Sequence, residues 1–241
     1  MKEKNIIKSY FKKFLTIVLA VALVVSLGTP AMEVHAGNDT TVIRSNGRTF
    51  YLKTYRKKDY REKACLYQQT SKGKKLVAKT GYSYYGMSYA FSYGKKLYFN
   101  YQESNNIKVY SYTIGKSGFK RERNNLLLLK RYGNYALGYS IFPTDISPKT
   151  ICIYNLRTKK VKILGKGYDP KFIDRKIYYA KLSKDLKTAY IMRCNPSGSG
   201  QKVLKKIKSR YCMFGFTVGK HRASYGVMVS NGRAQSRSVS Y

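Results

Sequence analysis

The 241-residue chain has no tryptophan, two histidines, four cysteines, five prolines and 11 acidic residues against 48 basic ones. Each shortage removes a class of chemistry. Without tryptophan the commonest sugar-stacking platform is missing, and only Tyr or Phe could take that role. His35 lies within the first 36 residues, so the rest holds His221 alone. That excludes histidine metal clusters and catalytic histidine pairs. The acidic residues are few and mostly single, which argues against a calcium cage of several oxygen ligands. Cys65, Cys152, Cys194 and Cys212 form no Cys-x-x-Cys pair, so no zinc knuckle or thioredoxin motif is suggested. No nucleophile motif, phosphate loop or dinucleotide fingerprint occurs. Gly198-Ser199-Gly200 sits in a predicted hairpin turn with no helix after it. These absences point to a non-enzymatic protein with no metal and no cofactor.

What is present begins with an export signal over residues 1–36. Lys2, Lys4, Lys8, Lys12 and Lys13 form a positive start, Phe14 to Leu27 is an uncharged apolar run, and Gly28 and Pro30 break it. Val34-His35-Ala36 then places short side chains where a signal peptidase reads, so cleavage is expected before Gly37. The competing reading is a membrane anchor, but the run falls short of the ~20 residues of a span. The long basic start, with no lipobox cysteine near the cut, resembles a Gram-positive signal. The expectation is a secreted, extracytoplasmic protein, associated with the cell wall and without a transmembrane helix in its mature part.

Five lysines and two glutamates lie in that signal, which leaves residues 37–241 with 43 basic and nine acidic residues, a formal charge of +34. Self-repulsion on that scale opposes compaction and favours any polyanion as partner. The 25 Tyr and 10 Phe argue against a disordered basic tail. Four cysteines in an exported chain permit two disulfides. Cys65 and Cys152 sit in apolar runs, ACLY and TICIY, which reads better as small core residues. The disulfide state stays open at this point.

Short alternating runs rich in Tyr, Ile, Val and Phe recur between Gly, Asn, Ser and Lys turns, and no helical period is sustained. This predicts an all-β domain. The runs repeat as a unit of four strands in about 42 residues, the pattern of a β-propeller blade. Units span about 42–79, 88–123, 126–166 and 170–208, with a partial unit over 211–241. Aligned on Tyr67, Tyr110, Tyr154 and Met192, they are spaced by 43, 44 and 38 residues. Stacked blades would bury apolar faces that one sheet cannot cover alone. A β-sandwich is the alternative.

Turn-Lys-Ile-Tyr-Tyr at Lys176–Tyr179, then Ile191, a Gly/Ser-rich turn and Lys202-Val203-Leu204 resemble the exported bacterial propellers related to TolB and to the YWTD type of the low-density-lipoprotein receptor. The resemblance covers about residues 42–229. It implies a propeller, usually of six blades, with a ligand-binding or protein-interaction role and no catalytic residues to carry over. No YWTD tetrapeptide occurs, and four and a half units are too few for six blades, so either the ring has about five blades with an unusual closure or the chain is a fragment.

Two basic surfaces follow. The fourth, outermost strands carry Lys74, Lys75 and Lys79; Lys120, Arg121 and Arg123; Lys159, Lys160, Lys162 and Lys166; and Lys202, Lys205, Lys206 and Lys208. They form either a rim for an anionic polymer or an edge defended against strand addition. The loops predicted on one face carry Arg56, Lys57, Lys58, Tyr60, Arg61, Tyr82, Tyr84, Tyr85, Lys166 and Tyr168. Tyrosine faces with Lys and Arg charges suit an acidic glycan or sugar phosphate. Alternatively, the tyrosines fill gaps between blades. The expected partner is an anionic cell-wall polymer or an acidic protein. Nucleic acid fits the charge, but an exported protein would meet only extracellular DNA. The rival function is a structural interaction module whose charge serves solubility or wall retention.

Overall fold

The computed structural model describes residues 40–83, 87–103, 106–140, 148–229 and 232–241. They contain 18 strands and no helix. The export signal and the tyrosines at 84 and 85 lie outside the described residues.

The strands run as antiparallel meanders. The first sheet is β1 (Thr40–Ser45), β2 (Arg48–Arg56), β3 (Glu62–Thr70) and β4 (Gly73–Lys79), in that order. The second is β5 (Met87–Tyr93), β6 (Lys96–Glu103), β7 (Asn106–Thr113) and β8 (Lys120–Asn124). A seven-stranded sheet follows: β9 (Leu126–Tyr132), β10 (Tyr135–Ser140), β11 (Lys149–Asn155), β12 (Val161–Ile173), β13 (Lys176–Leu182), β14 (Thr188–Cys194) and β15 (Lys202–Lys208). The last is β16 (Met213–Val218), β17 (Arg222–Met228) and β18 (Ala234–Ser240).

Local chemistry explains the hairpins. Asn46 and Gly47 both take positive φ, 49° and 69°, as a two-residue turn matched to strand twist requires. Between β12 and β13, Asp174 and Arg175 do the same at 45° and 61°. β12 is long because it serves two meanders. Its first half pairs with β11 and its second half with β13. The expected boundary between the third and fourth units therefore falls inside one strand.

Successive meanders touch through their first strands: β1 meets β5, β5 meets β9, and β12, which opens the fourth meander, meets β16. That is how propeller blades meet. No strand pairing joins the first sheet to the last among the described residues, and the last sheet, over the partial unit read at 211–241, has three strands. The core is divided into layers between successive meanders. Phe50, Leu52 and Leu66 pack with Leu97, Phe99 and Tyr112. Leu137, Ile151 and Leu164 pack with Ile177, Tyr179 and Met192. Ala180, Ile191 and Ile207 pack with Phe216, Tyr225 and Val227. All four cysteines are free; Cys65, Cys152 and Cys194 are buried, whereas Cys212 is exposed.

One irregularity recurs and fixes the true repeat. Where the third and fourth strands pair, one outer-strand residue is skipped: Val77, Glu122, Leu164 and Leu204. The skipped residue is a β-bulge. It aligns Tyr67, Tyr110, Cys152 and Met192, with spacings of 43, 42 and 40 residues. The sequence alignment is thus corrected in its third unit, where Tyr154 lies two residues beyond the equivalent position. A shift of two keeps every side chain on its own face, so alternation alone does not reveal it.

Burial of tyrosine gives this core a testable alkaline limit. Desolvation raises the Tyr98 and Tyr179 hydroxyls above their ordinary range and Tyr154 to about 12. An acid whose folded pKa is raised contributes stability that is complete below its unfolded value, here 10.0, and lost as pH climbs through the folded one. In a pH titration, ionisation of these phenols should coincide with loss of near-ultraviolet circular dichroism. Ionisation of every tyrosine below pH ~10 with the dichroism intact would contradict this burial.

Candidate anion-binding surface

The loop cluster begins at the β2–β3 connection. The Lys57 amide donates to the Arg61 carbonyl at 2.8 Å, and Tyr60 turns the chain with φ 62°. The linker after β4 is tied beside it. Glu62 and Ser83 exchange backbone hydrogen bonds at 2.5 and 2.7 Å, and the Tyr101 hydroxyl donates to the Glu62 carbonyl at 2.6 Å. This places Tyr82 under two ammonium groups, Lys57 at 4.2 Å and Lys63 at 5.1 Å from the ring centre.

Arg56, Lys57, Lys58, Tyr60, Arg61 and Tyr82 are therefore gathered at one end of the first sheet. Their charge is partly engaged. Arg56 pairs with Glu62, and Arg61 pairs with Asp59 at 2.7 Å. The Arg61 side-chain and backbone hydrogen bonds hold the Asp59 carboxyl below its ordinary range. Lys58 makes no such contact among the described residues. Tyr60 is 74% exposed. Lys166 and Tyr168 lie on β12 in another sheet, where Tyr168 stacks on Phe216 at 6.0 Å. Tyr168 thus fills the space between the sheets, as the alternative reading of the tyrosines anticipates.

The outer strands differ from the loops in their counter-charge. Lys75, Lys79, Lys202, Lys205 and Lys208 are exposed. None has a carboxylate within ion-pair distance among the described residues. Apolar side chains lie between them, with Leu76 45%, Ile163 51% and Val203 48% exposed. Lys75 and Lys116 also line an open groove of about 560 Å3 between the first two sheets.

Sequence reasoning passed over the buried charge at Glu122. Its side chain is 7% exposed and lies between the second sheet and the next meander. Lys96 reaches it at 2.8 Å, Ser111 Oγ donates to it at 2.6 Å, and Lys159 lies 3.6 Å away. Lys159 also hydrogen-bonds the Tyr98 hydroxyl and sits 4.7 Å from that ring's centre. Burial opposes ionisation of Glu122, yet hydrogen bonds from Lys96 and Ser111 with the Lys159 charge hold its pKa below the usual range. For Lys159, burial wins over the Glu122 charge and lowers the pKa. The one acid in the basic run Lys120–Arg123 was the available signal.

No protein-family model matches the chain, and no curated protein does. Solved structures with similar folds include a prolyl endopeptidase, with 8% identity over 88% of this chain and 37% of that one at a TM-score of 0.47. An acylaminoacyl peptidase from Pyrococcus horikoshii is 12% identical over 88% of this chain and 39% of that one, at 0.44. The β-propeller domain of the trilobed protease from Pyrococcus furiosus is 10% identical over 87% of this chain and 94% of that one, at 0.35. The chain spans well under half the length of the two peptidases. At these values the likenesses assign no activity or partner to it.

Proposed function

We propose that this protein is an exported, non-enzymatic propeller of about five blades that binds an anionic polymer of the cell envelope through its basic outer strands and loops. The observation that carries the reading is the imbalance of counter-charge. Each of the six carboxylates with a described side chain is engaged within the fold: Asp59 by Arg61, Glu62 by Arg56, Glu122 by Lys96, Asp169 by Lys171, Asp174 by Lys220, and Asp185 by Ser183 Oγ. Among the described residues, Lys75, Lys79, Lys202, Lys205 and Lys208 of the outer strands have no carboxylate within ion-pair distance and remain available for an external anion. Lysines on edge strands also discourage strand addition, so an interaction module with solubilising charge is the rival.

Substitution separates the two surfaces. Lys202, Lys205 and Lys206 replaced by serine should weaken binding to isolated walls about tenfold. Arg56, Lys57, Lys58 and Arg61 replaced together should weaken it less, because Glu62 and Asp59 already occupy two of those four cations. The outer-strand set should cost no more than about 1 kcal/mol of stability and the loop set, which breaks two ion pairs, no more than about 2 kcal/mol, since exposed pairs contribute ~0.2–1 kcal/mol each. Unchanged wall binding by both variants would favour the rival.

A further inference from the structure

The bulge register allows the same inter-sheet position to be compared at three junctions. Each is built from an outer-strand bulge, the residue following the aligned third-strand position, and the turn of the next hairpin. Between the third and fourth meanders these are Leu164, Ile153 and Gly198. There is no spare room: a Cβ on Gly198 would lie 2.9 Å from Ile153 and 3.1 Å from Leu164. Between the second and third they are Glu122, Ser111 and Lys159, a cation seated on an internal anion. Between the first and second they are Val77, Gln68 and the turn from Gly115 to Gly118. Here the position is open, as the groove of about 560 Å3. That lies within the ~300–1,000 Å3 of small-ligand pockets.

The lining of this groove is that of a site for an anion on a hydroxylated chain. Lys75 comes from β4, Lys116 and Ser117 from the turn, Gln68 and Thr70 from β3, and Tyr112 from β7. It holds two ammonium groups and no carboxylate. Tyr112 is 1% exposed, and its ring meets Phe50 edge-on at 5.9 Å, which fixes its position on the groove wall. The second junction answers the same basic turn with Glu122. The first has only Val77 there.

Resting on the anionic-polymer reading above, we infer that this groove holds a phosphate diester of a polyhydroxyl chain. Lys75 and Lys116 take the phosphate oxygens. Gln68, Thr70, Ser117 and Tyr112 meet the flanking hydroxyls. Lysine suits this role as a point charge with three donors.

The test titrates the full chain with a short glycerol phosphate oligomer, and in a second arm with phosphatidylglycerol vesicles. Lys75→Ser with Lys116→Ser should weaken the preferred probe at least tenfold. Gln68→Ile, which copies the filled junction, should do the same without lowering the unfolding midpoint. Lys184→Ser with Lys187→Ser, exposed in the β13–β14 turn and outside both basic surfaces, is the control and should change short-oligomer binding less than twofold. The outer-strand variant, with Lys202, Lys205 and Lys206 replaced by serine, is titrated beside it. Preference between the two arms assigns the diester to a free polymer or to a lipid headgroup. If the groove variants bind both probes like the parent while the outer-strand variant loses affinity, the groove is overturned and the basic-surface reading stands. If the parent binds neither probe at low salt, both are overturned.

Discussion

Glu122→Ala should lower stability by about 2–3 kcal/mol at neutral pH. Removing one member of a buried ion pair commonly costs ~3–5 kcal/mol because the other charge is stranded. Here the Lys96 and Lys159 side chains keep 30% and 35% exposure, so both can turn partly into water and the loss is smaller. Glu122→Leu with Lys159→Met should recover to within about 1 kcal/mol of the parent, since well-packed apolar replacements of buried pairs are often neutral. The three other bulges already hold Val77, Leu164 and Leu204 in that place. The sign with pH follows from the depressed Glu122 pKa. Its contribution is present above the unfolded value and vanishes as pH falls through the folded one. Urea unfolding of parent and Glu122→Gln should therefore converge in acid. A gap that stays constant down to the most acidic condition would show that ionisation of Glu122 contributes nothing.

Gly167→Ala should be at least as damaging, at about 3 kcal/mol or more. Gly167 is the residue of β12 that pairs with Lys149 on one side and Lys181 on the other, where the strand passes between two meanders. A Cβ there would lie 1.9 Å from the Ala180 carbonyl oxygen and 3.1 Å from Ile151 Cδ1. The first obstacle is backbone, so relief requires the strands themselves to separate. Gly81→Ala is the control. Nothing stands within 4 Å of its Cβ position, and its φ is not in the left-handed region. Thermal unfolding should move sharply for the first and within about 0.5 kcal/mol for the second.

Period-two alternation and Asn-Gly or Asp-Arg turns made the strands legible from sequence, because both are local. The outward Lys75, Lys202 and Lys205 were equally legible, since they break an apolar strand at its exposed positions. The Arg56–Glu62 pair needed only the β2–β3 register, which sets those two residues opposite each other. Other features depend on what pairing does at a distance. The shared strand β12 carries Gly165, Gly167 and Pro170, which read locally as turn and linker, yet its two halves pair with β11 and β13. The two-residue error at Tyr154 left no mark in the alternation. The groove depends on comparing three junctions, and Gln68, Tyr112 and Lys116 become neighbours only when the first two sheets meet.

Charge as the recognition element is tested most directly by the salt dependence of binding. Exposed charges are screened over ~10 Å at 0.1 M ionic strength, and each polymer phosphate neutralised releases counterion at a slope of roughly 0.7 per contact on a flexible strand. For the full chain titrated with glycerol phosphate polymer across a range of salt, a plot of log affinity against log salt should be linear with a slope of about −2 or steeper, the value for three or more contacts. Affinity that does not change with salt would contradict charge as the recognition element.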